Sequence, residues 1–90
     1  MDCAERDPSS AAAEDKKVEH GTLAFLLGEH PSQLTFPEVE RALNAGRQSY
    51  PDDAVERAIR ELVGAGLLHR HGDFVMPTRA ALYFAWLWEL

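Results

Sequence analysis

The chain has a single cysteine, Cys3, so it cannot close an internal disulfide. It also lacks any apolar run near the ~18 residues that a membrane-crossing helix needs. Its first residues, MDCAERDPSS, carry acids and no apolar stretch behind a basic start, so no secretory signal is expected. These points together predict a reducing, cytoplasmic setting. Positive charge is scarce: 9 Lys and Arg stand against 15 Asp and Glu, a formal net charge of −6. That balance counts against binding a polyanion by bulk charge, because neutralisation of phosphates by Lys and Arg supplies most non-specific affinity. It leaves room for a basic face on an acidic body, since distribution matters more than total. No Ser-His-Asp order, phosphate-cradling glycine loop or pocket-forming carboxylate pair is visible, so the chain is not expected to be an enzyme. No cofactor is expected either.

What is present suits one small domain. Ninety residues, 46% of them hydrophobic, can build a single compact core and no second one. Residues 1–17 are polar, with Pro and Ser and no apolar periodicity, and are expected to be a flexible tail ahead of a domain spanning 18–90. SSAAAEDKK has helix propensity that could lengthen the first helix, but nothing in it would anchor the extension. The first clear helix is expected over 20–29, with Val18, Leu23, Phe25, Leu26 and Leu27 as its apolar stripe, stopped by Gly28 and then Pro31. After the link HPSQL, Thr35 and Glu38 have the spacing of a capping box. Pro37 suits the first turn of the helix that follows, and Phe36, Val39, Ala42 and Leu43 form its buried stripe. A third helix is expected over 51–65, with Asp52 and Asp53 in its first turn and Val55, Ala58, Ile59, Leu62 and Val63 at helical period. Gly66 should stop it in the left-handed conformation. LLHRH and FVM flank Gly72-Asp73 as a hairpin with a type II′ turn. Thr78 caps a last helix, RAALYFAWLWEL.

The order helix, GAGLLHRHGDF, PTRAAL resembles the winged helix-turn-helix superfamily of bacterial transcription regulators. Leu62, Gly66, Leu67 and Leu68 match the stop before the wing, and Thr78 and Arg79 match the capped helix after it. The resemblance covers about residues 20–85. It implies an α+β, mostly α, winged helix-turn-helix fold: a three-helix core, a short β-hairpin wing and a C-terminal apolar helix. It further implies that helix 51–65 is a recognition helix and that 69–74 is the wing.

Under that resemblance the leading expectation is a transcriptional regulator that binds duplex DNA. Arg57 and Arg60 lie three apart, off the apolar stripe of the third helix. With Arg47 and Ser49 in the connector, Arg70 in the wing and Arg79 at the start of the last helix, they make a candidate phosphate-facing strip. The same arginines could instead form a solvated face paired with Glu56 and Glu61. The acidic total, the short wing tip bearing Asp73 and the Asp52-Asp53 pair point to another class, an acidic winged helix module that binds protein and not DNA. His69 and His71 share one face of a strand, but a complete ligand set is missing, so no metal site is expected. Ser49 can help cap the third helix, and Tyr50 can pack on the first. The last helix is apolar nearly all round. Leu82, Tyr83, Trp86 and Leu90 are expected to close the core, leaving Ala80, Phe84, Leu87 and Trp88 to form an isologous homodimer.

Overall fold

The computed structural model describes residues 8–45, 50–51 and 53–89. The fold is α+β and mostly helical, with four helices and a three-stranded antiparallel sheet among the described residues. The elements are α1 (Pro8–Glu29), β1 (Leu34–Thr35), α2 (Phe36–Leu43), α3 (Ala54–Gly64), β2 (Leu68–His71), β3 (Phe74–Pro77) and α4 (Arg79–Trp88). β3 lies in the middle of the sheet, between β1 and β2.

Helix α1 begins at Pro8, well ahead of the residue 20 start read from sequence, so residues 8–17 are helical where a tail was expected. Its buried seam is Val18, Thr22 and Leu26, four residues apart. Four-residue spacing keeps side chains on one helix face. The polar member is satisfied, because the Thr22 hydroxyl donates to the Val18 carbonyl at 2.7 Å. In the extension the Asp15 carboxylate lies 3.7 Å from the Arg57 guanidinium on α3. A partner 42 positions further along the chain is invisible to a local reading.

The α2 start follows its sequence signature. Glu38 N–H donates to the Thr35 hydroxyl at 3.4 Å, and Thr35 N–H donates to the Glu38 carboxylate at 2.8 Å. The backbone hydrogen bond from Thr35, followed by that from its hydroxyl, holds the Glu38 carboxyl below its ordinary value of 4.5. A carboxylate depressed in the folded state contributes stability above its unfolded pKa and loses it as pH falls through the folded value. Unfolding titrations from pH 6 to pH 3 should therefore show the parent exceeding Glu38→Gln at the upper end and converging with it at the lower. A gap that stays constant with pH would remove the capping carboxylate from the acid response.

Of the expected α2 stripe, Val39 is buried, Phe36 and Leu43 are half-buried, and Ala42 is exposed. Asn44 then clasps the next connector: its amide donates to the Glu40 carbonyl at 3.1 Å, and its Oδ1 accepts from Tyr50 N–H at 2.8 Å. Tyr50 does pack on α1, reaching so close to Gly21 that a Cβ there would lie 3.2 Å from the phenol oxygen.

Helix α3 starts at Ala54, three residues later than the sequence reading placed it, with Asp53 at the cap position. Pro51 precedes the helix and accepts from Ala54 N–H at 3.0 Å. The apolar stripe is as expected for Val55, Ala58, Ile59 and Leu62, all buried, whereas Val63 is 38% exposed. Gly66 takes φ 82° after the helix, and Gly72 takes φ 61° in the hairpin. Within the Gly72-Asp73 turn only Gly72 has positive φ, since no non-glycine among the described residues has one, as a type II′ turn requires.

Strand β1 joins Leu34, the last residue of the expected link, to Thr35, the expected helix cap. It becomes a strand because β3 offers it an edge: Leu34 pairs with Val75 and Thr35 with Phe74. One central cluster joins α1, α2, α3 and the hairpin, with Leu26, Val39, Val55, Ile59, Leu62, Leu68 and Val75 all buried.

Candidate interaction surfaces

The docking of α4 is set by its cap. Thr78 N–H donates to the Leu67 carbonyl at 3.1 Å, and the Thr78 hydroxyl donates to the Gly66 carbonyl at 2.8 Å. The same hydroxyl accepts from Ala81 N–H at 3.2 Å. These bonds tie the start of α4 to the end of α3 and determine which helix face turns inward. That face holds Ala81, which is buried, with Leu82 and Ala85 half-buried.

The bulky residues consequently face out. Tyr83 is 61% exposed, Phe84 61%, Trp86 56%, Leu87 43% and Trp88 80%. Tyr83 and Trp86, expected to close the core, do not; small Ala81 and Ala85 occupy that place. Ala80, Phe84, Leu87 and Trp88 are all exposed, on one side of the helix at i, i+4, i+7 and i+8. The aromatics rest on one another in two tilted pairs, Phe84 with Trp88 at 5.8 Å between centroids and Tyr83 with Trp86 at 5.9 Å. Leu90 lies outside the described residues.

The basic residues are divided among several settings. Arg57 sits 3.4 Å from Asp53 and 3.7 Å from Asp15. Arg60 sits 3.5 Å from Glu56. Both arginines line a groove between α1 and α3 that also holds Asp15, Lys16, Glu19 and Glu61. Their side chains remain open to water, 49% and 70% exposed, so the pairs add at most about 1 kcal/mol each. Arg70 lies elsewhere, its guanidinium 5.3 Å from the centre of the Phe36 ring. Arg79 is exposed in the first turn of α4. Arg47, Ser49 and Asp52 fall outside the described residues. The sequence reading anticipated Arg60 pairing with Glu56; it missed Asp15, whose approach depends on the α1 extension.

Among the described residues, no helix is long and apolar enough to cross a membrane, and no group of three His, Cys, Asp or Glu could hold a metal ion. No family model, curated protein or solved structure matches the chain.

Proposed function

We propose that the chain is a winged helix module for protein–protein association, with α4 as its working surface and a second copy as its partner. The observation that carries this reading is the outward set of Tyr83, Phe84, Trp86, Leu87 and Trp88. An aromatic side chain can bury roughly 150–250 Å², so four of them at these exposures leave on the order of 500 Å² accessible on each chain. Two such faces meeting would cover about 1,000 Å², the lower bound for a specific interface. Leu87 and Ala80 add to it. Between Ala80 and Trp88 there is no Asp, Glu, Lys or Arg. Two copies of an acidic protein can therefore meet there without apposing like charges. A patch that pairs with itself gives an isologous, closed dimer. Sedimentation equilibrium at tens of micromolar should return twice the 10.0 kDa chain mass. A 10.0 kDa particle at about 100 μM, where even weak specific dimers assemble, overturns the reading.

Duplex DNA binding is the second reading. It is supported by the order of α2, α3 and the β2–β3 hairpin, which corresponds to a helix-turn-helix followed by a wing, with Arg57 and Arg60 open to solvent on α3. The carboxylates of Asp15, Asp53 and Glu56 beside those arginines favour the first reading, because phosphates would have to displace them. Titration with random-sequence duplex at low salt should show no binding at about 10 μM, within the range where non-specific binders register. Binding whose salt dependence flattens in Arg57→Ala with Arg60→Ala would instead establish the DNA reading.

A further inference from the structure

The outer face of the β-hairpin carries chemistry that the association surface does not use. In the hairpin ladder His69 lies directly opposite Met76, and His71 lies opposite Phe74. Residues directly opposite across an antiparallel pair share a sheet face, as do residues two apart on one strand. The opposite face holds Leu68, Val75 and Pro77, all buried. Two imidazoles and a thioether therefore stand together on the solvent side. The two imidazole rings are stacked, their centroids 6.3 Å apart and their planes 23° apart. Cβ atoms of directly opposite residues are about 4.5–5.5 Å apart, which puts the Met76 sulfur within reach of the His69 ring. Arg70, between the two histidines in sequence, turns to the other face over Phe36. Its charge therefore does not come between the rings.

The geometry points to a site for a soft, low-coordinate transition-metal ion, cuprous copper, held by His69, His71 and Met76. The choice of ion follows from the ligand count and softness. Structural zinc takes four ligands, drawn from thiolate, imidazole and carboxylate. No third such group joins these histidines among the described residues. Copper(I) is satisfied by two or three ligands and favours thioether and imidazole donors, so the same shortage does not count against it. Both histidines are exposed, and rotating their rings toward a shared ion gives up no core packing. The proposal is independent of α4 and of whether the chain dimerises.

The test is an anaerobic titration of the full-length chain against copper(I) buffered by bicinchoninate. It uses Cys3→Ser as the parent, because a thiolate would itself take the ion. The expected result is one copper withdrawn from the competitor per chain. His69→Ala and His71→Ala should each weaken binding by more than the roughly 10–100-fold that follows loss of a mere supporting group. Met76→Leu, close in volume, should weaken copper(I) while leaving the affinity for zinc, followed with a zinc indicator, unchanged. The proposal fails if no copper leaves the competitor, if the three substitutions leave binding unaltered, or if zinc binds as tightly as copper(I). Far-UV circular dichroism on each variant, including that of the half-buried Met76, checks that the fold stays in place.

Discussion

Phe84→Glu combined with Trp88→Glu should convert the proposed dimer fully to a 10.0 kDa monomer at every concentration accessible to light scattering. The two side chains are among the most exposed large apolar groups described, at 61% and 80%, so the monomer loses little of its own packing when they change. In an isologous interface each substitution is present on both sides of the axis, so two changes place four carboxylates in the contact. Aromatic residues at the centre of an interface commonly cost 2 kcal/mol or more each when truncated. A micromolar dimer holds only about 8 kcal/mol in all, so the combined loss exceeds what the association can absorb. Charge adds to it, because carboxylates brought together in a desolvated patch repel. Phe84→Leu with Trp88→Leu keeps the surface apolar and should leave a weakened dimer. If the Glu pair sediments as the parent does, α4 is not the contact, even if a dimer exists.

The residues that set this surface were only partly readable from sequence. The capping box of Thr35 and Glu38, the positive φ of Gly72 in the hairpin turn and the Thr78 cap are local devices, spanning a few residues, and each formed as its spacing implies, as did the α3 stripe apart from Val63. The exposure of Phe84, Leu87 and Trp88 was legible because so short a chain has too little interior for a helix apolar all round. Which bulky residues would turn inward was not legible. Hydrophobicity favours Tyr83 and Trp86 as core residues, yet the helix phase is set by the Thr78 hydroxyl on the Gly66 carbonyl, twelve positions away in sequence. The α1 extension and β1 escaped for the same reason. Asp15 depends on Arg57, and Leu34-Thr35 is a strand only because β3 lies beside it. Arg57 and Arg60 illustrate both sides. Their solvent exposure follows from helical periodicity, while the carboxylate from α1 that sits beside Arg57 requires the tertiary fold.

Ile59→Ala should cost about 2–5 kcal/mol of folding stability, the range for deleting a fully buried branched side chain and leaving part of its space unfilled. Ile59 has no solvent exposure, and it lies on α3 in the cluster that also takes in Leu26 of α1, Val39 of α2 and Val75 of β3. Truncating it therefore opens a hole in the core that these elements share. A domain of this size typically has about 5–15 kcal/mol of total stability, so the variant should lose on the order of a third of it. At 4–8 °C per kcal/mol, the melting temperature should fall by on the order of 15 °C. Dimerisation raises apparent stability with concentration, so the comparison belongs in the Phe84→Glu, Trp88→Glu background, where folding and association are separated. Val63→Ala, one turn away on the same helix but 38% exposed, is the matched control and should change stability by less than about 1 kcal/mol. A chemical denaturation series reads both. Equal losses at the two positions would mean that α3 does not bury the face assigned to it, and the placement of Arg57 and Arg60 on its outer side would fall with that assignment.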